Sequence, residues 1–287
     1  MDIRLPPREK LINYGAFLAP QHTPTEIVEN LRSLCIDDDL QNFQEALEML
    51  LANSKPGAFA IEELGEVMME AIKQDNARFV SKLLLCGFPI QPCYALEATL
   101  HKAKGALECY MEAGWDINEP IGDVKPPVLG YAVEDEEMTL WLLDHGADPN
   151  RKCEIDCTPL SYAVQLAPVS VIKMMLSRGG DVRKGQLIHY AVFRVAELQE
   201  VIKLLVDEGA SLNAVMYQDG PTLMRFYPLS LGTPLHVAAE QGKADAVRHL
   251  IKLGADPSVE DAHGSTVKEW ALKWNKMEIV RLLEDEL

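Results

Sequence analysis

Residues Gly232 to Ser258 read GTPLHVAAEQGKADAVRHLIKLGADPS, and the fold follows from how this stretch is read. Thr233 offers a side-chain oxygen to cap a helix, and Pro234 fits the first helical position, where no backbone N–H is needed. Leu235, Ala238 and Ala239 form a small apolar face that lets a neighbouring helix come close. Gly242 interrupts the helix. Beyond it, Ala244, Val247, Leu250 and Ile251 make one apolar stripe at helical spacing. Gly254 is placed to end the second helix in the left-handed conformation, with Pro257 shortly after as a stop. Such a pair of short antiparallel helices has too little apolar surface to fold alone, so it needs copies of itself alongside.

The copies are present. After a step of 33 residues, Thr266, Ala271, Val280, Arg281 and Leu283 fall on Thr233, Ala238, Val247, Arg248 and Leu250. Thr158 to Asp181, TPLSYAVQLAPVSVIKMMLSRGGD, aligns 75 residues earlier without a gap, and Gly146 to Asn150 reads GADPN. These residues resemble the ankyrin-repeat family, whose signature is T-P-L-H-x-A on a 33-residue period. The resemblance is closest at 232–258, clear over 127–182 and 265–287, and degenerate before about residue 120. It implies an all-α solenoid of about seven or eight helix-turn-helix units with short β-hairpin fingers. It also implies that His236 braces neighbouring turns by hydrogen bonds, with His189 at the equivalent place.

Along the chain, residues 1–22 carry adjacent prolines and no sustained period, and they read as an extended arm. A single repeat domain is expected over 23–287, with degenerate units in 23–120 and clearer repeats in 121–287. Its first helix opens at a capping box, Thr23-Pro24-Thr25-Glu26, and Asp37 to Asp39 lie where a second helix starts. Gly209 and Gly254 are 45 residues apart instead of 33, so extra residues sit in Ala214 to Gly232. Asp219-Gly220 is a turn signal within that insert, and an elongated hairpin finger over 214–232 is expected. Lys268, Glu269, Lys273 and the acidic end at Glu284 to Glu286 give the last unit a polar outer face.

A formal charge of −17 repels nucleic acid and anionic membrane surfaces, and favours a protein partner with a basic segment. No apolar run approaches the ~18 residues of a membrane span, and Met1 to Arg4 open no signal peptide. Six cysteines (35, 86, 93, 109, 153, 157) are scattered without a disulfide framework. A reducing compartment is expected, the cytoplasm or else the nucleus, and a monomeric protein.

There is no phosphate-cradling glycine loop, no G-x-S-x-G and no H-E-x-x-H, and no cofactor is expected. Cys153 and Cys157, four apart with His145 near in sequence, are too few for a tetrahedral zinc site and are expected as free surface thiols. Glu134 to Glu137 lack the alternating ligands of a calcium loop and read as a solvated turn between helices.

In ankyrin arrays the concave side is formed by the fingers and the exposed edges of the first helices. Carried over by register, the two positions after the paired small residues are Lys73 and Gln74, Leu100 and His101, Glu134 and Asp135, Gln165 and Leu166, Phe193 and Arg194, Glu240 and Gln241, and Lys273 and Trp274. Aromatic residues and arginine dominate interface hot spots, so Phe193, Arg194, Tyr217, Phe226, Tyr227, Glu240 and Trp274 are the expected partner contacts. The reading is a non-catalytic protein-interaction module. Its rival is an enzyme or small-molecule binder in which His101, Glu134, Asp135, Arg194 and Glu240 converge beneath the 214–232 finger.

Overall fold

The computed structural model describes residues 25–53, 61–220, 222 and 231–285. They form helix pairs in two compact units that part between Ile121 and Gly122.

In the first unit, α1 (Thr25–Ile36) pairs with α2 (Leu40–Asn53), α3 (Gly65–Lys73) with α4 (Ala77–Leu85), and α5 (Pro92–Leu100) with α6 (Lys104–Glu112). The first helices α1, α3 and α5 pack in one row and the second helices in another. Asp39 starts α2 by accepting the Asn42 N–H at 3.2 Å, which also sets a negative charge at the helix N-terminus. Phe43 of α2 meets Phe79 of α4 edge to face, ring centroids 4.7 Å apart, so the outer row has its own apolar seam. The expected arm over 1–22 and the cap at Thr23 lie outside the described residues.

In the second unit, α7 (Leu129–Ala132) pairs with α8 (Glu136–Asp144), α9 (Pro159–Leu166) with α10 (Val169–Ser177), and α11 (Leu187–Ala191) with α12 (Leu198–Asp207). Two further pairs follow: α13 (Pro234–Glu240) with α14 (Ala244–Lys252), and α15 (Val267–Lys273) with α16 (Met277–Asp285). Here α7, α9, α11, α13 and α15 form the inner row. Ala238 and Ala239 are fully buried, as close packing of inner helices requires. On α14 the buried stripe is Ala246, Val247 and Leu250, with Ala244 at the rim. In four of the pairs the bend between the helices takes a left-handed residue at one step: Gly242 has φ 68°, and Asp75, Lys102 and Asn275 stand at 49°, 57° and 55°.

The inner helices are tied in series. Thr233 N–H donates to His236 Nδ1 at 3.2 Å, and His236 Nε2 lies 3.0 Å from Ser265 O in the next repeat. The carbonyl fixes the proton on Nε2, leaving Nδ1 as acceptor. His189 Nε2 reaches Gly232 O at 3.1 Å, and Ser161 Oγ donates to Gly185 O at 2.5 Å. The brace expected at His236 and His189 is therefore in place. Gly232 has no room for a side chain, because a Cβ there would stand 2.5 Å from His236 Cβ.

The β-hairpin fingers are absent as strands among the described residues, where a lone bridge pairs Gly122 with Lys125. The reason is local. Two residues after Gly114, Gly146 and Gly254 an aspartate folds back on the chain: Asp116 Oδ1 accepts Asn118 N–H at 2.9 Å, Asp148 accepts Asn150 N–H at 2.8 Å, and Asp256 accepts Ser258 N–H at 2.8 Å. These side-chain turns compete with ladder formation. Asn150 then bridges to the following repeat, donating to Gly179 O at 2.8 Å and accepting from Asp181 N–H at 2.7 Å. Residues 221 and 223–230 of the 214–232 insert lie outside the described residues, but its base is closed by Met216 N–H donating to Gly232 O at 3.0 Å.

Candidate functional site

In the second unit, the residues expected at the concave edge divide into braces and exposed groups. Arg194 is a brace: its side chain is 5% exposed. Nη1 donates to Val164 O and Nε to Ala196 O, both at 3.0 Å, while Nη2 meets Glu197 Oε2 at 3.3 Å. The last carbonyls of a short helix have no intrahelical partner, and a neighbouring cation satisfies them. Lys243 does the same one repeat later, its Nζ 2.8 Å from Val192 O and 2.9 Å from Arg194 O. Phe193 is buried beside Arg194. Tyr217, expected as a projecting anchor, is only 3% exposed and shares a 2.6 Å hydrogen bond with Tyr190 Oη. Phe226 and Tyr227 lie outside the described residues.

Other positions do face solvent. Trp274 is 45% exposed, and Leu166, in the same register three inner helices earlier, is exposed as well. Val195 between them in sequence is fully exposed. Glu240 is half-buried.

The first unit holds a cleft of about 390 Å³ along α1, α3 and α5. Lys73 and His101, both assigned to the groove by register, line it. Its floor includes Tyr94, which burial keeps protonated with a pKa pushed up to about 12. Arg32 and Glu70 pair across it at 3.2 Å. Glu97, only 4% exposed, holds its carboxylate 3.5 Å from His101 Nε2. Tyr94 and Glu97 were not singled out from sequence. The available signal was their spacing with His101, i, i+3 and i+7, which sets the three on one helix face.

Of the rival catalytic set, His101 lies in the first unit and Glu134, Asp135, Arg194 and Glu240 in the second. Asp135 caps α8, accepting Met138 N–H at 2.8 Å, and Arg194 is spent on carbonyls. His101 has a carboxylate neighbour, but the cysteine in its cleft, Cys93, is held as a thiol, its pKa pushed up to about 11 by burial. Of the expected Glu134–Glu137 turn, only Glu134 and Asp135 connect the helices, while Glu136 and Glu137 open α8, Glu136 receiving Ser170 Oγ at 3.2 Å. Cys153 and Cys157 are both buried, against the expectation of surface thiols, because the loop carrying them is covered by its neighbours around Gly185 and Thr222. No group of three or more metal-ligating side chains occurs among the described residues, and no described helix is long and apolar enough to cross a membrane.

Residues 188–286 match the model of ankyrin repeats in three copies. Over 167 residues the chain is 28% identical to an ankyrin repeat protein of Rickettsia felis, covering 55% of each. Over 192 residues it is 24% identical to the palmitoyltransferase Hip14 of Drosophila melanogaster, covering 64% of this chain and 29% of that one. A shorter match, 33% over 105 residues, is to the regulatory protein NPR5 of Arabidopsis thaliana, 36% of this chain and 19% of the other. The chain thus spans about half of the first relative and less than a third of the other two. The model falls on α11 to α16, the helix pairs that carry the Thr233 and Thr266 caps and the His189 and His236 braces, so residues 188–286 are ankyrin repeats.

Proposed function

We propose that this protein is a non-catalytic module that binds another protein through the inner-helix edges of its repeats. Ankyrin repeats generally mediate protein–protein interaction. The observation that supports the finer reading is the cleft on α1, α3 and α5, where groove positions Lys73 and His101 meet a buried tyrosine and the half-buried Met69. Such a mixed, concave, partly apolar site suits a side chain of a partner segment better than a reacting substrate. Exposed Trp274 supplies a second contact in the other unit. The partner is a protein with a basic segment, drawn by the chain's net charge of −17. The protein acts as a monomer in the cytoplasm or nucleus, and residues 23–287 form one repeat domain.

The test is selection of binders from a displayed peptide library with the full chain. Bound peptides should be enriched in Lys and Arg, and Lys73→Glu or Trp274→Ala should change their affinity at least ~tenfold, or ~1.4 kcal/mol. Peptides that bind both variants as well as the parent would refute the assignment.

A further inference from the structure

Cys153 and Cys157 stand apart from the other four cysteines because the fold brings them onto each other. Cys153 N–H donates to Cys157 O at 3.3 Å, so the five-residue turn is closed by a backbone bond between the two cysteines themselves. That bond, with Cys157 N–H turned onto Ile155 O at 2.7 Å, holds the two cysteines across one tight turn, the short reach that a disulfide, with its ~4.4–6.8 Å Cα span, requires. Cys153 Sγ lies 3.6 Å from both Ile155 O and Cys157 O, over the mouth of the turn. Both side chains are buried.

We propose that Cys153 and Cys157 are a redox modification site that closes reversibly to an intrachain disulfide under hydroperoxide. Cys153 is the attacking sulfur. The Cys157 thiol hydrogen-bonds to it and draws its pKa below the ordinary thiol value, with amides of the turn acting in the same direction and burial opposing. Cys157, deeper and in contact with Cys153, is pushed well above that value, so of the two it is Cys153 that gives up its proton first. The Cys153 thiolate attacks the terminal peroxide oxygen, the O–O bond breaks, and the sulfur becomes a sulfenic acid as the leaving alkoxide or hydroxide takes a proton. Cys157 sulfur then attacks Cys153 Sγ. Its S–H proton leaves with the displaced hydroxide as water, and the S–S bond forms. Two thiols are oxidised and one peroxide is reduced.

The turn is wired to its neighbours. Asp156, between the cysteines, accepts Gly185 N–H at 2.9 Å and Gln186 Nε2, while its own N–H donates to Thr222 Oγ1 at 3.2 Å. Lys152 pairs with Asp219 at 3.3 Å. Cys157 is in contact with the Tyr190 hydroxyl, which holds Tyr217 at the base of the insert. Closing the disulfide re-aims Asp156 and removes the thiol from Tyr190, so the oxidation state is transmitted to the start of the 214–232 loop.

The test exposes the full chain to hydrogen peroxide, unfolds it, alkylates free thiols and digests with trypsin. Cys153 and Cys157 fall in one tryptic peptide, after Lys152. The expected result is that peptide unalkylated and lighter by its two thiol hydrogens, restored to the alkylated form by dithiothreitol, with Cys35 and Cys93 still alkylated. Amide exchange at Gly185, Gln186 and Asp219 should quicken on oxidation. In Cys157→Ala, Cys153 should instead be trapped by dimedone as the sulfenic acid. Both cysteines still alkylated under peroxide that oxidises Cys86 overturns the proposal. So does a wild-type Cys153 driven to sulfinic acid with no disulfide. If the variant does not fold, the wild-type peptide decides by itself.

Discussion

Replacing His189 with glutamine should flatten the acid limb of this protein's stability curve. The imidazole is buried between repeats, with Nε2 3.1 Å from Gly232 O. Burial, with His236 nearby adding to it, lowers its pKa to about 4 from the ordinary 6.5. The sign follows directly. Above about pH 6.5 the ring is neutral folded and unfolded, and it contributes no pH dependence. Between about 6.5 and 4 only the unfolded chain takes the proton, so stability falls with pH. Below about 4 both states take it and the loss is complete. At about 1.4 kcal/mol per pKa unit, the whole swing is ~3 kcal/mol, of which ~2 kcal/mol is lost by about pH 5. Glutamine keeps an N–H donor for Gly232 O but does not titrate. Urea unfolding followed by circular dichroism, at about pH 7, 6, 5 and 4.5, should show the parent losing ~2 kcal/mol more than the variant by pH 5. Carboxylates titrate in both proteins and cancel in the difference. Parallel loss in the two would refute the buried neutral imidazole.

Ala238→Leu should overpack the seam of fully buried small residues between inner helices and cost ~1–3 kcal/mol, read as a lower urea midpoint. Tyr217→Ala should lower stability by ~3–5 kcal/mol, since the ring is buried and its hydroxyl bonds Tyr190 at 2.6 Å; an unchanged midpoint would return Tyr217 to the surface. Raising salt from ~0.05 to ~0.5 M should weaken partner binding, because screening shortens the reach of exposed charges; affinity indifferent to salt would leave apolar anchors in charge of the interface.

The helix pairs were legible because their signals are local and periodic. TPLH places a cap, a proline and a brace within four residues, and the glycine at the end of each second helix marks the period. What the sequence hid is contact between residues far apart in the chain. Tyr217 sits in a loop with every compositional sign of an exposed anchor, yet its partner Tyr190 lies one repeat back and takes it into the core. Arg194 looked like a hot spot, and its chemistry was read correctly as that of a strong multiple donor. Its targets were the problem, since carbonyls carry no mark in a sequence, and those of Val164 and Ala196 claim it. Cys153 and Cys157 were judged by the polar loop around them, whereas their burial depends on what Asp156 binds in two other loops. The finger expectation failed for a local reason: aspartate after the closing glycine prefers to fold onto its own backbone. In the first unit, Glu97 was passed over because a lone carboxylate amid Ala, Leu and Thr gave no sign of the cleft it would face.

The serial braces have a direction. Ser161, His189 and His236 each donate forward, to Gly185, Gly232 and Ser265, and none of these bonds runs the other way. A ribosome releases the donor first and the acceptor only a repeat later, so each newly folded hairpin waits with a buried polar hydrogen unmet. An orphaned donor of that kind costs ~1–3 kcal/mol, whereas a stranded carbonyl, with two lone pairs, is tolerated more easily. Shortening the array from its C-terminal side should therefore harm the remainder more than shortening it by as many repeats from the other side. In α15, Glu269 stands where histidine stands in α13 and accepts the Thr266 N–H at 2.7 Å, so the histidine donor is not repeated there.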